Sequence, residues 1–192
     1  MSELPIQGSL CDEVCSFSET EFQTAYETWG ANCGPTALAA VLGKSLQEIR
    51  PHMGDFERMG YTTPNLMFDA LRSIKAQWRT THPSTIGKLP TRSLLRVQWG
   101  GPWMLPEVPI KARYRHTHWI AAKTNPNGSV IVYDVNAMSV GGWIPLELWV
   151  QDLAPWIIRE CCPRGDGKWS VTHIIELMLP ITSSEVTQQN DT

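Results

Sequence analysis

The stretch Trp29 to Gly43, WGANCGPTALAAVLG, sets a cysteine between an asparagine and Gly-Pro, directly ahead of a run of small apolar residues. Pro35 suits the first turn of a helix and Gly43 its C-terminal stop, so the spacing predicts a helix over Thr36–Leu42. Ala37, Ala39 and Ala40 let such a helix lie close against a sheet. A helix opening just past Cys33 aims unpaired backbone N–H groups and the positive end of its dipole at the sulfur, which favours thiolate over thiol. A buried structural cysteine needs no such setting; a nucleophile does.

Helical patterning continues beyond Gly43. Ser45 with Glu48 forms the signal of a capping box for a short helix through Ile49, and Thr63-Pro64 opens a third helix with Leu66, Met67, Ala70, Leu71 and Ile74 on one face. The second half reads as strands. Pro102–Leu105 (PWML) and Thr117–Lys123 (THWIAAK) are apolar runs, and the latter leads through the turn Asn125–Gly128 into Ser129–Asp134 (SVIVYD), a β-hairpin. Pro145 introduces an amphipathic helical segment, Leu146–Leu153. The late run KWSVTHIIELML places Trp169, Val171, His173, Ile175, Leu177 and Leu179 on one face, the period of a half-buried strand. Helices followed by antiparallel strands give an α+β fold.

The 192 residues suit a single domain, 1–182, with 183–192 carrying the composition of a loose tail. A net charge of −3 argues against a broad nucleic-acid or anionic-membrane surface, since both are met with clustered Lys and Arg; the expected partner is a protein or peptide. No uncharged apolar run of about 18 residues marks a membrane span. The N-terminal MSELPIQGSLCDEVC has no basic segment followed by an apolar one, so a cytoplasmic location is expected. Five cysteines fit free thiols in a reducing compartment. Cys11 with Cys15 and the adjacent Cys161 and Cys162 lack the spacing of a zinc site, and no metal or cofactor is expected. Nine tryptophans, seven of them at or after Trp99, serve as core or groove lining.

A thiolate nucleophile needs a base. His118 opens an apolar strand and shares a face with Ile120 and Ala122. With the hairpin turning at Asn125–Gly128, the start of the first strand comes opposite the Asp134–Asn136 region. An acid or amide there can hold one imidazole nitrogen and leave the other for sulfur. His116 lies one step further out on the same face, as surface or substrate contact. His173 has a structural place on the last strand, His52 and His82 fall in Pro-flanked loops, and Pro51–Pro64 and Ser84–Gly101 are the loops expected to shape specificity.

In this order and spacing NCGPTALAAVLG, GGPWM, HTHWIAAK and VIVYDVN, across Thr28–Trp143, resemble the papain-like cysteine peptidase superfamily, in the branch similar to the C39 bacteriocin-processing peptidases. The resemblance implies a papain-like α+β fold and a thiol protease cleaving a peptide or isopeptide bond. It makes Cys33 the nucleophile, His118 the general base and later acid, and Asp134 the orienting group, with Asn136 as the alternative. The same order also serves amidases, deamidases and transglutaminase-like acyltransferases, and a papain-like fold retained without catalysis would suit a bacteriophage particle component or an inhibitor of a host factor. The pattern departs where the family carries an oxyanion Gln: position 27 is Glu, which leaves Gln23 and Asn32 as candidate donors. Loss of one such donor costs on the order of a hundredfold in rate.

Overall fold

In the computed structural model, which describes residues 6, 13–83, 88–113 and 115–178, helices start where the sequence supplies caps. Ser18 caps α1 (Glu19–Trp29), Asn32 caps α2 (Cys33–Leu42), and Ser45 with Glu48 closes a full capping box on α3 (Leu46–Ile49). A single turn, α4 (Phe56–Met59), follows, and Thr63 caps α5 (Pro64–Ser73). Because Asn32 is the cap, α2 begins earlier than Pro35 suggests and takes Cys33 into its first turn. Gly43 ends it in the left-handed conformation (φ +65°), its N–H reaching back to Ala39 and Ala40. Residues 34–41 are all buried, so α2 is a core helix rather than an amphipathic one.

Six strands form one open sheet: β1 (Gln77–Thr81), β2 (Arg92–Trp99), β3 (Thr117–Thr124), β4 (Val130–Tyr133), β5 (Trp143–Pro145) and β6 (Trp169–Met178). Their order is β1-β6-β2-β3-β4-β5 and every neighbouring pair is antiparallel, so the chain is α+β. The N-terminal helices cover the face that presents Leu94, Trp119, Ala121 and Tyr133. The other face, with Leu95, Val97, Ile120, Val132 and Ile144, is covered by the C-terminal helical run. That run is α6 aside: α6 (Ile110–Arg113) is a single turn between β2 and β3, whereas α7 (Leu146–Leu148), a π-helical turn (Trp149–Leu153) and α8 (Ala154–Cys161) follow one another without a break. Pro155 has no N–H to return to Gln151, and the widened turn immediately precedes it. Among the described residues no helix is long and apolar enough to cross a membrane.

Three expectations are corrected. Pro102–Leu105 is not a strand but starts with a 3-10 turn, Pro102–Met104; the strand lies upstream as β2, inside the stretch expected to be a loop. β2 is central and buried on both faces, so it shows no in–out alternation, and a proline cannot donate to a ladder. β1 is a largely polar edge strand, which hydrophobic periodicity does not reveal. In β6 the alternation breaks at a bulge: Arg96 pairs with His173 but Val97 pairs with Val171, skipping Thr172, whose hydroxyl donates to the Arg96 carbonyl (3.1 Å). One extra residue moves everything beyond it to the other face, so Trp169 and Val171 pack toward the C-terminal helices while Ile175 and Leu177 pack on the face covered by the N-terminal helices. Leu179, Cys11 and the tail 183–192 lie outside the described residues.

Candidate active site

The site is built where β4 runs out. The β3–β4 ladder begins at Ala121–Tyr133, so the first residues of β3 extend past the end of β4. Cys33, in the first turn of α2, fills that position and its sulfur accepts the backbone N–H of Trp119. Two contacts fix the helix start: Asn32 Oδ1 accepts the Gly34 N–H (3.3 Å), and Asn32 Nδ2 donates to the Gly60 carbonyl (3.0 Å). Thr62, from the same connection, approaches so closely that a Cβ on Gly34 would lie 2.5 Å from the Thr62 Cβ and closer still to its hydroxyl. The Pro51–Pro64 segment is thus one wall of the site, and its Thr62 carbonyl also accepts the Trp119 indole N–H (2.9 Å).

His118 pairs with Val97 and is 7% exposed. Its Nε2 lies 2.9 Å from Asp134 Oδ2, and the ring also hydrogen-bonds Cys33, which assigns Nδ1 to the sulfur. Trp99 lies alongside the imidazole (centroids 5.9 Å apart, 25° between planes), and Trp149 lies against Trp99 at 6.3 Å.

Between Asp134 and Asn136 the structure is unambiguous. Continuing the register from Ala121–Tyr133 would set Asn136 opposite His118. The chain instead leaves the ladder after Tyr133, and Asp134 caps a 3-10 turn, Val135–Val140, which delivers the carboxylate rather than the amide to the histidine. Asp134 is fully buried and accepts four hydrogen bonds. Oδ2 takes His118 Nε2 and Trp149 Nε1 (2.7 Å); Oδ1 takes the backbone N–H and side-chain Nδ2 of Asn136, each at 2.9 Å. Asn136 therefore positions Asp134 and does not contact His118 through these groups.

The charges follow from these contacts. Burial pushes the Asp134 carboxyl up, but the His118 charge, its hydrogen bond and those from Trp149 and Asn136 outweigh it, and the net shift is down. Burial pushes His118 down, yet Asp134 and Cys33 together hold it well above 6.5. At Cys33 burial raises the thiol and His118 more than offsets it, with help from the Trp119 N–H, so the net shift is below 9.0. The other described thiols go the opposite way: burial pushes Cys15 up to about 12 and raises Cys161 and Cys162. Cys33 is half-buried and Cys161 exposed, so the order of acidity is the reverse of the order of exposure between these two. A thiolate beside an imidazolium that is oriented by a buried carboxylate can attack a carbonyl and pass a proton to a leaving group.

The oxyanion expectations are corrected. Gln23 sits on the exposed side of α1, where its amide donates to Glu27 one turn on (2.7 Å). Asn32 caps α2 through Oδ1 and donates one of its two Nδ2 hydrogens to Gly60. At the start of α2 the Gly34 N–H is held by Asn32 Oδ1, Pro35 has none and the Thr36 N–H donates to the Asn32 carbonyl (3.1 Å), which leaves the Cys33 N–H as the backbone donor there. His116 stacks on Trp103 (centroids 3.7 Å) at the rim, and His173 contacts the Thr172 hydroxyl (3.1 Å) rather than backbone. Cys15 packs on the α2 side of the sheet and Cys162 on the other, which separates these two cysteines. Among the described residues no group of three or more His, Cys, Asp and Glu gathers as a metal site would require. The part played by Trp149 has no sequence signal beyond the abundance of tryptophan, because it depends on the π-helical turn that carries it across the sheet face. Compared with known proteins, the chain matches no family model and no curated protein.

Proposed function

We propose that this chain is a papain-like cysteine hydrolase acting on a peptide or isopeptide bond. The observation that carries the reading is the selective depression of the Cys33 thiol among the described cysteines, tied to His118 and through it to Asp134. In this reading the Cys33 thiolate adds to the scissile carbonyl carbon and the C=O electron pair moves to oxygen, met by the Cys33 N–H at the start of α2. The C–N bond then breaks, the amine leaving with the proton from His118, and a thioester remains on Cys33. Water, deprotonated by His118, adds to the thioester; the C–S bond breaks and the acid is released. Asp134 holds the imidazole in one orientation throughout and balances its charge, without taking the proton itself.

The test is the pH dependence of Cys33 alkylation by iodoacetamide, mapped by peptide mass, in the wild type and in His118→Ala. Cys33 should label ahead of the more exposed Cys161, with an apparent pKa below 9.0. Without the imidazole only the burial that raises the thiol is left, and labelling at pH 7 should fall about tenfold for each pKa unit gained. Labelling at Cys33 no faster than at Cys161, and indifferent to His118, would overturn the reading. Incubation of the reactive enzyme with a peptide mixture then separates the chemistries by mass: paired fragments mark hydrolysis, and a deamidation shift or an added acyl acceptor marks the related transferases.

A further inference from the structure

The end of β2 lies between two cationic segments. Trp99 donates its N–H to the His116 carbonyl on one side (2.9 Å), and Gly100 donates to the Lys168 carbonyl on the other (2.8 Å), while the Asp166 N–H returns to the Gly100 carbonyl (3.3 Å). Arg115 and His116 therefore flank β2 from the β3 side, and the 163–168 loop flanks it from the β6 side. With strands about 4.8 Å apart, the two flanks stand about 10 Å from each other. Gly100 and Gly101 lie between them, and their lack of side chains lets Asp166 and Trp103 approach: a Cβ on Gly100 would run into Asp166 Oδ1 and one on Gly101 into the Trp103 ring.

Both flanks carry an exposed arginine, Arg115 and Arg164, and neither makes an ion pair among the described residues. Elsewhere on the chain Arg50, Arg58, Arg72, Arg79 and Arg159 each meet a carboxylate. The two arginines lie close enough to act on the same group: apart from burial, the charges that lower the His116 pKa are those of Arg164 and Arg115. The acid on the 163–168 loop makes no ion pair with either arginine; Asp166 Oδ1 accepts the Lys168 N–H of its own loop (2.9 Å). His116 is two residues from His118, about 7 Å along an extended chain, and on the same face. The stack of His116 on Trp103 gives the rim a flat, fixed floor.

We propose that Arg115 and Arg164 form a subsite on the rim of the Cys33–His118 site for the carboxylate of an acidic side chain on a peptide substrate. This rests on the reading of Cys33 as a nucleophile. A guanidinium offers paired donors that match a carboxylate, and among the described residues neither Arg115 nor Arg164 has an ion-pair partner to occupy them. An acidic residue placed one or two positions from the scissile bond spans the distance from Cys33 to this rim. In a chain of net charge −3, a cationic pair beside the nucleophile sets substrate choice rather than overall solubility.

The experiment pairs two affinity labels that differ by one charge, the α-amides of N-iodoacetyl-glutamic acid and N-iodoacetyl-glutamine. Their labelling rates at Cys33 are compared with those on N-acetylcysteine, in the wild type and in Arg115→Gln/Arg164→Gln. Relative to N-acetylcysteine, the wild type should prefer the Glu reagent by about fivefold, the upper range of one surface ion pair. The preference should shrink as salt is added and vanish in the double variant. A wild type in which Cys33 labels quickly but treats the two reagents alike, or a preference that survives in the double variant, overturns the subsite and leaves the nucleophile standing. Cys33 labelling no faster than N-acetylcysteine with either reagent overturns both.

Discussion

Trp149→Phe removes one N–H from a carboxylate that is closed off from water, and its cost is calculable from the geometry. Trp149 and Asp134 are both buried, and the indole nitrogen lies 2.7 Å from Oδ2, the oxygen that also holds His118. A hydrogen bond to a charged group contributes about 1.5–3 kcal/mol. Trimming the indole to a phenyl ring adds about 1 kcal/mol for the cavity left behind. The substitution should therefore destabilise by roughly 2.5–4 kcal/mol at pH 7.

A double-mutant cycle isolates the charged contact from the loss of packing. Asp134→Asn keeps the shape and removes the charge, so in that background the same Trp149→Phe change loses at most a neutral hydrogen bond of about 1 kcal/mol plus the cavity. Urea unfolding at pH 7, followed by far-ultraviolet circular dichroism on the four proteins, should give a coupling of about 0.5–2 kcal/mol between the two sites. A coupling under about 0.5 kcal/mol, the additivity of independent positions, would refute the charge-assisted bond. The sign with pH is fixed as well. Asp134 has a folded pKa below its ordinary 3.8, so its stabilisation is present above that value and lost as pH falls through the folded pKa. Losing the Trp149 donor raises the folded pKa, and the variant should lose the contribution of Asp134 at a higher pH than the wild type.

Two further substitutions test how the site is assembled. Asn136→Ala removes one of the two N–H groups on Asp134 Oδ1 and leaves Oδ2 with His118, so it should cost about 1–2 kcal/mol in urea unfolding while Cys33 keeps its fast alkylation; abolished labelling would return the orienting role to Asn136. Gly34→Ala drives a Cβ into Thr62 beside the nucleophile and should cost about 1–3 kcal/mol and slow Cys33 labelling, with partial recovery of both in a Thr62→Gly background that removes the obstructing atoms.

The parts of the fold that could be read from the chain are those governed by neighbours in sequence. Ser45 and Glu48 close their capping box, Thr63 starts α5, and the Asn125–Gly128 turn joins β3 to β4, because each needs only a few adjacent residues to satisfy a backbone group or a turn. β2 was hidden for the opposite reason. Its burial comes from β3, β6 and the helices on both faces, and the sequence RSLLRVQW, with Arg96 and Gln98 buried in it, shows no period of its own. The bulge at Thr172 is a property of the β2–β6 pair, so the perfect alternation of the β6 sequence concealed a change of face.

The same distinction separates what was legible at the site from what was not. Cys33 announces itself because a helix N-terminus is a local object, and His118 because the hairpin brings the start of β3 to the end of β4 without help from the rest of the chain. The choice of Asp134 turned on a single local event, the 3-10 turn it caps, which bends the chain out of the ladder before Asn136 can arrive. An oxyanion donor is a different kind of object. A side-chain donor has to be brought from another element to within hydrogen-bond reach of an atom that exists only during reaction, and Gln23, on the exposed side of α1, instead donates to Glu27 one turn on. A site with a nucleophile whose thiol is lowered by its histidine and with the Cys33 N–H as its helix donor should show the imbalance directly: fast alkylation of Cys33, which needs only the thiolate, alongside slow turnover of peptides, which needs the oxyanion stabilised as well. Comparable enhancement of the two would mean that a second donor lies on an element that neither Gln23 nor Asn32 occupies.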